Sequence, residues 1–134
     1  MTLKEINDFC KNTMIGFLEM EFTEFNDDKV VATMPVNSKT IQPLGYLCGG
    51  ASLALAETIG SAGSLFMVDY NKYNVFGMQV SANHISSIRE GKVIGTGRLI
   101  HKGKTTHVWD VEIRDEAGKL ISAARVTNAI VEKK

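Results

Sequence analysis

Glu57 stands in the middle of an apolar run that begins at the glycine pair Gly49 and Gly50 and includes Leu53, Leu55, Ala56 and Ile59. A glutamate enclosed by apolar neighbours is uncommon without a partner or a task. Enclosure strengthens a carboxylate as a base, which suits a general base or a nucleophile. The sequence therefore predicts a buried, reactive Glu57. Gly50 lies seven residues earlier, on the same helix face and about 10 Å away along the axis. Ser61 lies one turn beyond Glu57 on that face. A helix starting at Gly49 leaves its first N–H groups without intrahelical partners. Those of Gly49 and Gly50 carry partial positive charge, suited to a carbonyl oxygen becoming an oxyanion. Glycine there lets a substrate come close to the backbone. Gln42 can add a side-chain amide donor. Together these groups point to hydrolysis of an activated acyl group.

The helix that must carry Glu57 is expected from Gly49 to about Val68. Its apolar residues surround the axis on nearly every side, the pattern of a core helix. Small residues along it, Ala54, Gly60, Ser61, Gly63 and Ser64, would let a sheet approach closely. Before it, Leu3, Ile6, Phe9 and Cys10 share one face of a short helix capped near Thr2. Residues 13 to 36 read as a hairpin turning at Asn26-Asp27-Asp28, with Pro35 near the end of its second strand. Residues 37 to 48 form a loop. After residue 73 the pattern changes to strands. Phe76, Met78, Val80 and Ala82 alternate with polar or small residues, which predicts one buried face. Further strands are expected at 92–101, 105–114 and 119–132, divided by Lys102-Gly103-Lys104 and by Asp115 to Gly118. Trp109 and the methionines read as core, whereas His101 and His107 read as ordinary turn and edge residues. The order predicts an α+β domain over residues 1–134, an antiparallel sheet wrapping one buried helix.

Composition sets outer limits. The chain has 134 residues, with 15 basic and 15 acidic side chains. No broad basic field favours nucleic acid, although a local basic patch would suit a small phosphorylated ligand. Cys10 and Cys48 have no metal-binding or CxxC spacing and read as reduced cytosolic thiols. The first residues lack a signal-peptide apolar region, and the apolar stretch around Glu57 is a poor membrane span. The expected location is the cytoplasm, and no metal or redox cofactor is expected.

The stretch Gln42-Pro43, Gly45, Cys48-Gly49-Gly50-Ala51-Ser52, Leu55-Ala56-Glu57-Thr58 and Gly60-Ser61 resembles the hotdog-fold acyl-CoA thioesterases, in particular their aryl-CoA branch. The resemblance continues through Gly77, Ser81 to His84, Glu90 to Val93, His101 to Lys104, Val108-Trp109, Ile113, Asp115-Glu116, Gly118 and Arg125 to Thr127. It covers roughly residues 40 to 131. Members hydrolyse 4-hydroxybenzoyl-CoA, 1,4-dihydroxy-2-naphthoyl-CoA or mischarged aryl carriers. The resemblance implies that Glu57 is the nucleophile or the base that activates water. It implies that the Gly49 N–H and the Gln42 amide polarise the thioester carbonyl, with Gly50 at the same helix start. Ser61 would orient the water or the carboxylate. His84 would lie near the acyl and pantetheine end of the tunnel. Lys102, Lys104 and Arg89 would meet the CoA phosphates at its mouth. The tunnel of such enzymes lies between two subunits, which implies a homodimer, paired into a tetramer.

One position departs from that pattern. Relatives mostly carry histidine immediately before the double glycine, and this chain has Cys48. The resemblance implies that a histidine there helps bind substrate or manages the leaving thiolate. A helix start favours a reactive thiolate, and the dull alternative is a small packed side chain. The departure bears on rate and substrate more than on reaction type. Two other classes fit the fold: a non-catalytic acyl-CoA sensor, which Glu57 argues against, and a hydroxyacyl-thioester dehydratase. The dehydratase needs a histidine with an acid, and no histidine precedes Gly49.

Overall fold

The computed structural model of the chain describes residues 1–27 and 29–134. Two short helices, α1 (Leu3–Cys10) and α2 (Met14–Phe17), precede a hairpin, β1 (Glu21–Asn26) and β2 (Lys29–Pro35). The long helix α3 (Gly49–Met67) follows, then β3 (Tyr73–His84), β4 (Lys92–Lys102), β5 (Thr106–Asp115) and β6 (Leu120–Glu132). The strands form one six-stranded sheet in the order β1-β2-β4-β5-β6-β3, and every pairing is antiparallel. This is the predicted α+β arrangement, a sheet curled around α3.

Each element has a local cause. Thr2 caps α1 in a capping box: its hydroxyl accepts from the Glu5 N–H, and the Glu5 carboxylate accepts from the Thr2 N–H. The turn expected at Asn26-Asp27-Asp28 includes Asp28, which lies outside the described residues. The hairpin is shorter than expected, because Thr13 caps α2 through the Ile15 N–H and the chain turns helically before β1. The inward residues of β2, Val30, Ala32 and Met34, are fully buried, as are Trp109 and Ile113 of β5. Helix α3 lies very close to the sheet. A Cβ on Gly95 or on Gly97 would come within 2.5 Å of Ile59. Bare backbone at those two positions lets the helix sink onto β4.

Four buried polar side chains fix α3 against β5 and β6. Trp109 Nε1 donates to Ser64 Oγ at 2.9 Å, and Asn128 Nδ2 donates to the same oxygen at 3.0 Å. The Ser64 hydroxyl proton is then left for His107 Nδ1, 2.9 Å away. Asn128 Nδ2 also reaches the Gly60 carbonyl at 3.0 Å. His107 is therefore not the edge residue expected from its turn-rich surroundings. It is only 1 % exposed, and burial, with nearby Lys102 and His101, pushes its pKa below the ordinary value of 6.5.

β3 differs from the simple alternation expected of it. A bulge falls between Gly77 and Gln79, so Met78 has no opposite residue on β6. The extra residue shifts the phase of the strand. Phe76 and Met78 are 56 % and 62 % exposed, whereas Val80 and Ala82 pack against the core. Gly77 stands opposite Asn128 and His84 opposite Ser122, both inward residues of β6. Gly77 and His84 are an odd number of residues apart, so an unbroken strand would put them on opposite faces. The bulge turns both towards α3.

Candidate active site

Glu57 is exposed in the single chain, contrary to the expectation of burial. The reason lies in the rotation of α3. Leu55, Ala56 and Ile59 face the sheet and are completely buried. Ala54, Glu57, Ser61 and Leu65 recur three or four residues apart along the side the sheet does not cover, where none is buried. A run apolar all round gives no direction to any one side chain, so the sequence did not settle which face Glu57 takes. The carboxylate nevertheless opens on a groove of about 1000 Å³. Its walls include Glu57, Ser61 and Leu65 of α3, Ile6 and Phe9 of α1, and Val75 of β3. Across from the carboxylate stands Gly77. A Cβ there would lie 3.1 Å from Glu57 Oε2, so glycine leaves the space the carboxylate occupies.

The candidate donors gather at the start of α3, around a second pocket of about 200 Å³ lined by Gln42, Gly49, His84 and Ser122, among others. The Gln42 Oε1 accepts from the Leu44 N–H. That bond commits the amide oxygen and leaves the NH₂ group to act as the donor. Gly49 is the first residue of α3, and Cys48 precedes it as N-cap without a side-chain cap bond. A Cβ on Gly49 would lie 2.6 Å from His84 Nε2. His84 Nδ1 is 2.8 Å from Ser122 Oγ. Cys48 is half-buried and unpaired and lines neither groove, and Gly50 is exposed beside it.

The other predicted ligands are divided between the two ends of the sheet. Arg89 donates to the Tyr46 hydroxyl at 3.0 Å and lies 4.2 Å above the Tyr46 ring. Tyr46 lines the smaller pocket, so Arg89 belongs to the donor end. Lys102, at the end of β4, and Lys104, in the β4–β5 turn, are exposed. Lys102 pairs with His107, which bonds to Ser64. Fifteen residues of helix, about 22 Å, divide that level from Gly49. Glu57 and Gly49 are themselves eight residues apart, about 12 Å along the axis. A single carbonyl must sit about 3 Å from both the attacking group and its donors. Within one chain the Glu57 carboxylate and the Gly49 N–H are therefore too far apart along α3 to meet one carbonyl.

Ser122 was missed by the sequence reading. A serine in a strand carries no motif, and only its place opposite His84 singles it out. Among the described residues, no group of three or more His, Cys, Asp or Glu side chains could hold a metal ion. No helix among them is long and apolar enough to cross a membrane.

Comparison with known proteins fits this geometry. Residues 44–122 match the family model of the thioesterase superfamily. The chain is 43% identical over 131 residues to the 1,4-dihydroxy-2-naphthoyl-CoA hydrolase of Escherichia coli K12, covering 98% of this chain and 96% of that protein. It is 37% identical to the proofreading thioesterase EntH of Cronobacter turicensis, covering 98% and 95%. A crystal structure of a mutant thioesterase from Pseudomonas aeruginosa superposes with a TM-score of 0.97 at 41% identity, covering 99% and 96%. A thioesterase from Haemophilus influenzae superposes at 0.94 with 38% identity, covering 98% and 92%. The chain belongs to the thioesterase superfamily and is a hotdog-fold thioester hydrolase.

Proposed function

We propose that this enzyme hydrolyses an aromatic or medium-sized acyl-CoA, of the kind represented by 1,4-dihydroxy-2-naphthoyl-CoA. The observation that carries the reading is the Glu57 carboxylate, set over Gly77 at the wall of a largely apolar groove of about 1000 Å³. That volume suits a bicyclic acyl group. The name of the E. coli relative supports the same substrate class. The working unit is a homodimer, paired into a tetramer, and it acts in the cytoplasm. In it, Glu57 of one subunit faces the Gln42 amide and the Gly49 N–H of the other.

In this scheme the two donors hold the thioester oxygen and draw electron density from its carbon. Glu57 either attacks that carbon or removes a proton from the water that does. Ser61, one turn along, orients the water or the carboxylate. Gly50 lets the thioester approach the helix start, and His84 lies near the acyl and pantetheine end of the tunnel. Arg89, with Lys102 and Lys104 of the partner subunit, meets the CoA phosphates. Cys48 packs at the helix start and takes no chemical step. Coenzyme A enters as part of the substrate, and the reaction requires no further cofactor.

A panel of thioesters with thiol detection tests the reading: 1,4-dihydroxy-2-naphthoyl-CoA, benzoyl-CoA, hexanoyl-CoA and a benzoyl carrier protein. The aryl-CoA esters should give the highest kcat/KM. Binding of these esters without turnover would support the sensor instead, and a 2-enoyl product from a hydroxyacyl ester would support the dehydratase.

A further inference from the structure

Ser122 takes no part in the scheme above, yet it holds one of its residues. It is fully buried and stands directly opposite His84 in the β3–β6 ladder. Opposed residues of an antiparallel pair have Cβ atoms about 5 Å apart, so a short hydroxyl reaches the nearer ring nitrogen. Ser122 Oγ lies 2.8 Å from His84 Nδ1. The other nitrogen, Nε2, lies against the Gly49 backbone, where a Cβ would be 2.6 Å away. The ring is held between a hydroxyl of β6 and the first residue of α3. His84, Ser122, Gly49 and Gln42 line the same pocket of about 200 Å³.

We propose that Ser122 is a positioning residue that fixes the orientation and tautomer of His84, making its Nε2–H a third donor to the thioester carbonyl. The inference rests on the thioesterase reading of this pocket. A serine hydroxyl that donates to Nδ1 leaves the ring proton on Nε2. That N–H belongs to the pocket that Gly49 and Gln42 also line. It donates a hydrogen bond and keeps its proton. When the oxygen of water bonds to the carbonyl carbon, the π electron pair moves onto the carbonyl oxygen, which the three donors stabilise. The pair returns as the C–S bond breaks, and sulfur leaves with the bonding electrons. The departing thiolate gains the proton that Glu57 took from water. This places an imidazole in the pocket from β3, in a chain whose residue before the double glycine is Cys48.

Nitrogen-15 NMR of the histidine-labelled protein reads the tautomer directly, with the His84 signals assigned by their loss in His84→Ala. The full-length protein should show His84 protonated at Nε2, with Nδ1 as acceptor. Ser122→Ala should mix the tautomers and lower kcat about tenfold with little change in KM. Ser122→Thr should keep the tautomer and most of the rate. In a His84→Ala background, Ser122→Ala should add less than about a twofold loss. A proton on Nδ1 in the unmutated enzyme overturns the proposal, and so does an equal kinetic loss with and without His84. The tautomer is read without substrate. Its failure is therefore distinct from failure of the thioester panel, and it remains decisive if Ser122→Ala does not fold.

Discussion

Replacing Glu57 with glutamine keeps the size of the side chain and removes its ability to attack or to accept a proton. Glu57→Gln should lower kcat by about a thousandfold or more while substrate still binds, measured by thiol release and by calorimetry. Gly77→Ala is a milder probe of the same carboxylate. The new methyl group would lie 3.1 Å from Oε2, against the flexible end of a side chain. The carboxylate should yield by a few tenths of an ångström, and kcat should fall about tenfold because small misplacements of a reacting group are costly. The melting temperature should barely move. Cys48→Ser should keep most activity, since the thiol lines neither groove; a large loss in the same assay would give Cys48 a chemical role. At this scale the sequence showed where type and spacing set residues in the fold: Gly49 at the start of α3 and Glu57 two turns along it. It was silent on Ser122 and on the exposure of Glu57, because both follow from which residues lie opposite or beside them in space.

The long helix and the strands were legible as elements because their periods are strong. α3 begins at Gly49 as expected, and β4, β5 and β6 fall within a residue or two of the predicted spans. The bulge in β3 was not legible, because a single extra residue leaves the alternation of Phe76, Met78, Val80 and Ala82 intact on paper. Nor was the network that locks α3, since Ser64, His107 and Asn128 are polar residues scattered over two strands and a helix. That network gives a prediction of its own. Ser64→Ala leaves Trp109 Nε1, His107 Nδ1 and one bond of Asn128 without a partner, and should cost about 3 kcal/mol in urea unfolding. It also carries a pH dependence. The fold holds His107 below its ordinary value of 6.5, so the unfolded chain binds the proton more readily. Stability from this residue is present above pH 6.5 and is lost as pH falls through the folded value. Protonation would put a hydrogen on Nδ1, the second of the ring, facing the hydrogen of Ser64. Urea midpoints measured from pH 7.5 down to 5 should fall with acid, and the fall should shrink in His107→Gln.

At the scale of the whole molecule, one chain presents a carboxylate over one groove and a set of amide donors over another, about 12 Å apart along α3. The uncovered side of α3 and the exposed Phe76 and Met78 on edge strand β3 are the surfaces a second copy would cover. In the proposed dimer a two-fold axis would bring each patch against the same patch on its partner, so two composite sites would form together. Sharing of this kind has a kinetic signature. Glu57→Gln and Gln42→Ala chains, each nearly inactive alone, are mixed, unfolded and refolded together. Half of the pairs are then hybrids, and each hybrid contains one site with both Glu57 and Gln42 intact. The mixture should recover about a quarter of the unmutated activity per chain, measured as thiol release from an aryl-CoA. Activity no higher than the mean of the two separate variants would contradict a catalytic carboxylate that works against the donors of its neighbour.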